Sequence, residues 1–531
     1  MRRWFIILLL LEPQLFAREV PIVILHTCDL HGNVLPTENY EGRTNLGGIA
    51  RCATAIQEVR QREKNVLLVD VGDTIQGAAV SYLTDGQVMV KALNHLHYDA
   101  WIWGNHEFDW GLDKLAACAR AAQMPILNAN VKLTTTTGAV AAVEILSRLK
   151  PYILREIDGV KIGIVGLNTP GIPNWSRPRL LEGLRFSDSV EELKPIVPAL
   201  RRAGAQVLVL VCHQGYRDGG DDHANQVNAI AHNYPEFDVI IGGHTHRNFP
   251  EFKVSNVLYC QANYFGIHLG RVDLVFDTEK NRVSRRSSKT ILMDDQVPVD
   301  PGMLNLLGPE IDQSQKMLAT VIGEAAGDFD LRGAPKRETP IHGLVFEAIA
   351  DALRAQGMKV DAIVHGILER RATLSSGPIT IGDIWKMIPY ENTIGVANLT
   401  PQQFREILEE DAAAFEKREF RGVWGVKWTF DPEASEGKRV VSLLLPDGVP
   451  LKVDARLAVA FNSYDLASGG LRWKKLRAIV DKPDVKLAEY DIQTRQAVID
   501  YIRKRGTIVP TVGDWWRVVR QKRQASAASR P

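Results

Sequence analysis

Trp103-Gly-Asn-His-Glu-Phe-Asp109 packs an amide, an imidazole and two carboxylates into the five residues from Asn105 to Asp109. A short apolar run, Asp99 to Trp103, precedes it, and a helical pattern near Leu112–Gln123 follows. The stretch is therefore a loop at the carboxyl end of a predicted strand. The first half of the chain repeats that design. Val20–Thr27 is β-branched and apolar and runs into Cys28-Asp-Leu-His-Gly32. Val66–Val71 runs into Gly72-Asp73, Gln206–Val211 into Cys212-His213, and Val239–Ile241 into Gly242-Gly-His-Thr-His246. Tyr152–Ile157 and Val160–Leu167 flank the turn Asp158-Gly159. Helical periodicity appears at Leu46–Lys64, Ala79–His95, Ser189–Ala203 and Ala224–His232. Strands alternating with helices predict an α/β fold, and such folds bind ligands beyond the carboxyl ends of their strands.

Five of those ends carry metal-competent side chains: Asp29 and His31, Asp73, Asn105, His213, then His244 and His246. Carboxylate oxygens and neutral imidazoles suit divalent first-row metals. The i, i+2 spacing of Asp29 with His31 and of His244 with His246 puts both side chains on one side of an extended segment. One carboxylate, Asp73, can bridge two ions, and an amide binds through oxygen without adding charge. Two ions roughly 3.5–4 Å apart acidify a shared water and clamp an in-line displacement at phosphorus. A single histidine at a strand end is ordinarily a hydrogen-bonded structural residue, and His95, His97, His223, His232 and His268 are read so. Convergence of the set, not any one member, points to a dinuclear centre.

At 531 residues the chain exceeds one domain. Hydrophobic and charged contents of 45% and 24% are ordinary for a globular protein, and a net charge of +1 gives no footprint for a nucleic-acid polymer. Arg2 and Arg3 before the apolar run Trp4–Leu11, then Leu15-Phe-Ala17, have the order of a secretory signal. No second long apolar run follows, so no membrane span is expected in the mature protein. Five widely spaced cysteines without a CxxC form neither a disulfide scaffold nor a thiolate zinc site. One bridge in an oxidising compartment stays open.

Basic and polar texture from Val283 to Asp300-Pro301-Gly302 predicts the end of the first domain, and Met303–Ala319 a connecting helix. Beyond it, helices at Leu344–Ala355 and Pro401–Glu410 mix with strands at Ala362–Val364, Trp424–Phe430, Val440–Leu445 and Leu457–Phe461. That half reads as α+β and carries no ligand cluster. The basic, Ala/Ser-rich segment from Arg517 to Pro531 reads as a disordered tail.

The strings ILHTCDLHG, VDVGD, GNHEFDWG, VCHQG and GGHTH, within residues 20–277, resemble the metallophosphoesterase domain of the 5′-nucleotidase family, which includes exported UDP-sugar hydrolases. GPITIGDIWKMIPYENTI, VWGVKWTFDP and LAVAFNSYDLASGG resemble its C-terminal substrate-binding domain. The resemblance implies a sandwich of sheets flanked by helices, joined by a helix to a separate α+β domain. The expected divisions are a signal peptide at 1–17, the catalytic domain at 18–300, a linker helix at 301–319, the substrate-binding domain at 320–516 and a tail at 517–531. It implies one divalent ion (zinc, manganese or similar) on Asp29, His31, Asp73 and His246 and a second on Asp73, Asn105, His213 and His244. His106 is expected to face the phosphate, with Asp109 orienting and charging its ring.

Phe420 and Tyr464 align with the family's base-sandwiching rings, and Arg371 keeps the place of a phosphate-binding arginine. Two departures stand out. Cys28 replaces the usual Asn. Gly469-Gly-Leu-Arg-Trp473 replaces Gly-Gly-Asp-Gly-aromatic, so the ribose-binding carboxylate is missing while Arg472 and Trp473 bring a cation and a ring. Arg370, Arg371 and Arg472 keep an anionic substrate in view. The expected activity is an exported hydrolase, periplasmic or extracellular, that removes phosphate from nucleotides or other small phosphorylated metabolites through a metal-activated hydroxide. Alternatives are a nucleotide-sugar pyrophosphatase, a 2′,3′-cyclic phosphodiesterase, a sulfur-oxyanion ester hydrolase and, remotely, a non-catalytic anion-binding protein. No protein partner is expected.

Overall fold

The computed structural model describes residues 19–134, 140–367, 369, 371–417 and 419–520. The expected leader, Arg370 and positions 521–531 of the expected tail lie outside the described residues.

Two sheets dominate the first half. The seven-stranded one has the strand pair Arg282–Leu292 and His268–Asp277 at one side, then Glu19–Thr27, Val66–Asp70, Ala100–Trp101, Ile126–Leu127 and Leu149–Lys150. The six-stranded one runs Asn248–Val254, Val257–Ala262, Val239–Gly242, Val207–Cys212, Val160–Leu167 and Tyr152–Ile157. Alternation along the strands explains how they stack. Val20, Ile22 and Ile24 join Ile162, Ile164, Val207 and Val209 in one cluster between the sheets. Val23 and Leu25 point the other way, into the cluster with the helices Ile49–Arg62, Gln87–His95 and Leu112–Ala121. Leu208 and Leu210 likewise meet the helices Ser189–Arg202 and Val227–Asn233. Strands covered on both faces read as unbroken apolar runs, as these do. The expected α/β sandwich flanked by helices is what the chain forms.

The second half holds a five-stranded mixed sheet in the order Val423–Trp424, Ala362–Val364, Leu457–Asn462, Thr393–Leu399 and Ala488–Gln493, with its own core. The helix Pro301–Leu318 joins the halves. Its Met303, Leu307 and Ile311 enter the first core, while Met317 and Leu318 pack on the second.

Some local expectations shift. The single helix expected over Ala79–His95 is two, Ala79–Leu83 and Gln87–His95, because Gly86 between them has φ 84°. Trp424–Phe430 is likewise two strands. Gly425 breaks it at φ 89°, where a Cβ would stand 2.3 Å from the Asp361 carbonyl. The basic and polar stretch that begins at Val283 still holds a strand of the first domain: Arg282–Leu292 is an edge strand paired with His268–Asp277. Arg517 and Val518 extend the strand Trp516–Val518, paired with Lys427–Phe430. No described helix is long and apolar enough to cross a membrane.

Candidate metal centre

All five strand ends converge. Asp29, His31, Asp73 and His246 offer ligand atoms within 4.8 Å of one another, and so do Asp73, His213 and His244. Asp73 belongs to both groups. Reaching this arrangement bends the chain hard: Asp29, His31, Asp73, His244 and His246 all have left-handed backbones, with φ between 47° and 70°. Such conformations cost non-glycine residues on the order of 1–3 kcal/mol each and persist only where the surroundings impose them. Hydrogen bonds impose them here. Asp29 N–H donates to the Gly72 carbonyl at 2.9 Å, His31 N–H to the Asp73 carbonyl at 2.8 Å, and His244 N–H to the Asp29 carboxylate at 3.0 Å. Gly104 keeps space open, since a Cβ there would stand 2.3 Å from Asp73 Oδ1 and 2.6 Å from His213 Nε2.

The donor set fits divalent ions. Buried polar atoms normally find partners, yet buried Asn105 Oδ1 and His213 Nε2 have no hydrogen-bond partner. The Nε2 atoms of His31 and His246 stand 3.1 Å apart, with the Nδ1 of each engaged elsewhere. Asp73 Oδ2 lies 3.1 Å from His213 Nε2 and 3.8 Å from His31 Nε2. Electrostatics agree. Burial pulls His31 and His244 down to about 3, so both are neutral imidazoles, the form that can ligate. Burial opposes a charge on His213 too, but Asp73 and then Asp29 lift it to about 9. Burial would raise Asp73, yet His213, His106 and His31 hold it well below the usual carboxylate range. The carboxylates call for positive charge, which a metal ion replacing that proton would supply.

The opening loop forms the wall beside this cluster. His106 N–H donates to Asp73 Oδ1 at 2.8 Å, and His106 Nδ1–H donates to Asp109 Oδ2 at 2.6 Å. Burial opposes protonation of His106, but Asp109 and Asp73 override it and raise its pKa well above the usual imidazole value. A cationic ring thus stands 5.1 Å from that of His31. Glu107 is buried and accepts four backbone N–H groups: Thr74 (2.6 Å) and Ile75 (3.3 Å) on Oε1, Asp73 (2.9 Å) and Gly104 (2.6 Å) on Oε2. It ties two ligand-bearing loops together. Cys28 is buried and its thiol donates to the Asn263 carbonyl at 3.2 Å, the behaviour of a small core residue. The five cysteines are free thiols.

Beside the cluster stand side chains that sequence reasoning missed, Tyr390 and Glu391 from the second half and Trp175 from the first. The Tyr390 ring lies 17° from parallel to that of His106, 6.5 Å away. Glu391 accepts from Gln76 Nε2 and from Arg495, both at 2.6 Å. Trp175 stands 5.1 Å from the His244 ring and 5.7 Å from His223. The string IPYENTI was a marker of resemblance; only the packing of one half on the other reveals what Tyr390 and Glu391 face.

The expected substrate residues do not gather as a set. Arg371 donates to Glu38 of the first half at 3.1 Å. Arg472 donates to the Tyr464 hydroxyl at 3.2 Å, and Tyr464 is half-buried. Phe420, 7% exposed, is packed among Phe415, Trp428, Phe430 and Trp516, so in this arrangement it is a core ring, not an open platform opposite Tyr464. Trp473 is also core, 1% exposed, under the Arg421 guanidinium. Arg421 itself forms a buried two-pronged pair with Asp465, both contacts at 2.8 Å.

Comparison with known proteins agrees with this architecture. Residues 22–248 match the calcineurin-like phosphoesterase family and residues 321–478 the 5′-nucleotidase C-terminal domain. A snake venom 5′-nucleotidase from Naja atra is 28% identical over 92% of this chain and 97% of its own. A 2′,3′-cyclic-nucleotide 2′-phosphodiesterase/3′-nucleotidase from Haemophilus influenzae is 26% identical over 94% and 88%. The crystal structure of a 5′-nucleotidase precursor from Thermus thermophilus has the same fold, with a TM-score of 0.70 at 24% identity over 94% of this chain and 100% of its own. Carrying both domains in this order, the chain belongs to the 5′-nucleotidase family of calcineurin-like metallophosphoesterases and is a phosphoric ester hydrolase.

Proposed function

We propose that this protein is an exported, dinuclear metal-dependent hydrolase that removes phosphate from nucleotides or other small phosphorylated metabolites. The observation that carries the reading is the convergence of six ligand-type side chains on two adjoining groups that share Asp73, with Asn105 Oδ1 and His213 Nε2 buried and without a hydrogen-bond partner. Asp29, His31, Asp73 and His246 would hold one ion, and Asp73, Asn105, His213 and His244 the other. Such a pair supplies Lewis acidity at phosphorus and a water of lowered pKa. The chain's own groups do the rest. His106, kept cationic by Asp109, faces the phosphate and stabilises charge as it develops. Asp73 N–H, Thr74 N–H and Gly104 N–H, gathered on Glu107, keep the ligand loops in place. Tyr464 offers a stacking face, worth about 1–3 kcal/mol to a base, while Arg371 and Arg472 attract the anion.

Export is read from residues 1–17, with division of the chain at 18–300, 301–319 and 320–516. A second ester class, the 2′,3′-cyclic phosphodiester, is favoured by the Haemophilus relative. The test is phosphate release from nucleoside monophosphates, UDP-glucose, cyclic nucleotides and sugar phosphates, with each metal added in turn. Release from a nucleoside monophosphate, abolished by chelation and restored by two equivalents of metal, is the expected result. Full activity with a single ion bound would refute the dinuclear reading.

A further inference from the structure

An imidazole that ligates through Nε2 must carry its proton on Nδ1 and find an acceptor for it. For His31 that acceptor is the Gln76 carbonyl, at 3.0 Å, and for His213 the Val71 carbonyl, at 2.9 Å. Both are backbone atoms held by the strand ends. His246 differs. Its Nδ1 lies 2.9 Å from the hydroxyl oxygen of Tyr40. Tyr40 comes from the hairpin whose stems pair at Thr37 and Leu46, remote in sequence from every candidate ligand but His31 and Asp29. Its side chain is 47% exposed and yet held on several sides. The ring stacks on Tyr264 at 4.3 Å and lies within 9° of parallel to the His246 ring. Its backbone N–H donates to the Tyr264 hydroxyl at 3.1 Å. Tyr264 in turn stacks on His246 at 5.3 Å. These ring contacts set the plane of the imidazole, and the phenol oxygen stands within hydrogen-bond distance of its Nδ1.

We propose that Tyr40 is a positioning residue for the metal ligand His246, accepting its Nδ1–H and so presenting the Nε2 lone pair to the ion shared with Asp29, His31 and Asp73. This rests on the two-ion reading above. It makes one of the two ion positions depend in part on a surface side chain, while His213 at the other is held by a backbone carbonyl.

The variant Tyr40→Phe keeps the stacked ring and removes only the oxygen. Zinc and, separately, manganese are titrated into the metal-free full-length protein against a chromophoric chelator. Hydrolysis of an aryl phosphate is followed in metal excess, and the melting temperature of the metal-free protein is recorded. The wild type is expected to take up two ions. The variant is expected to bind one of them about tenfold more weakly and the other unchanged, the loss typical when a partner of a metal-bound histidine is removed. KM for the ester and the metal-free melting temperature should stay as in the wild type. A variant that binds both ions as the wild type does overturns the proposal. A variant whose only change is a raised KM overturns it too, since Tyr40 would then be a substrate contact. A wild type that takes up fewer than two ions overturns the two-ion reading, and this inference falls with it.

Discussion

Replacing Glu107 by Gln separates holding the fold from holding the metal ligands. The carboxylate accepts four backbone N–H groups, two on each oxygen. Glutamine keeps one accepting oxygen and turns an NH2 toward the other pair. A buried N–H without an acceptor costs about 1–3 kcal/mol, so two cost about 2–6 kcal/mol. A second effect runs the other way. Burial first, and then Asp73, push the Glu107 carboxyl up to about 7. A group raised in the fold favours its protonated form, so its contribution is full below the unfolded value of about 4.5 and is lost as pH rises through about 7. At pH 8 the charge therefore costs about 3 kcal/mol, which glutamine escapes. The two nearly offset, leaving a net destabilisation of at most about 3 kcal/mol. Geometry has no such offset. Whichever way the amide turns, its NH2 meets two N–H groups head on, those of Asp73 and Gly104 or those of Thr74 and Ile75, and disturbs the anchoring of the loops that carry Asp73 and Asn105. Metal affinity should therefore fall about 10–100-fold while the metal-free protein still unfolds cooperatively. The assay is chelator competition at pH 8 beside chemical denaturation of the metal-free form. Unchanged affinity for both ions would refute the positioning argument, whatever the stability change.

Other perturbations follow from the same geometry. His106→Ala should lower turnover by 10²-fold or more, about the loss of one charge-stabilising group, with metal content near wild type by elemental analysis; loss of both ions would instead make His106 a structural part of the centre. Because Asp109 and Asp73 raise the His106 pKa, its proton should persist through neutral pH and leave only as pH rises through the raised value. Asp109→Asn should therefore shift the alkaline limb of kcat/KM to lower pH, and an unmoved limb would assign that limb to another group. Arg421→Met strands Asp465 in a pair that is 2% exposed on each side, so the protein should lose about 3–5 kcal/mol in denaturant unfolding. A smaller loss would mean that Asn462, which donates to Asp465 at 2.6 Å, suffices to satisfy it.

The cluster of ligand-type side chains was legible because ligation restricts residue type and strand ends restrict place. Asp29 to His246 span more than two hundred residues, yet each candidate ligand follows an apolar run that could be recognised alone. What was not legible depends on neighbours that sequence does not name. Arg282–Leu292 reads as basic and polar texture, not as a strand, because an edge strand turns Arg285, Arg286 and Lys289 to solvent, a common defence against edge-to-edge pairing. Phe420 sits in a string that marks a binding domain, but its depth is decided by Trp428, Phe430 and Trp516. Tyr390, Glu391 and Tyr40 carry no signal of their own. Tyr390 and Glu391 gain meaning only from how the two halves dock, and Tyr40 from the fold of a hairpin over His246.

The helix Pro301–Leu318 bears on how the gene can be divided. Met303, Leu307 and Ile311 complete one core while Met317 and Leu318 lie against the other. A fragment ending before residue 301 would leave an apolar groove bare along the helices Ile49–Arg62 and Gln87–His95, and one ending after 319 would carry a sticky tip in place of a groove. Neither half is a clean module. An expression boundary that keeps the helix with the first half and replaces Met317 and Leu318 by polar residues is the cut that leaves the least apolar surface in water.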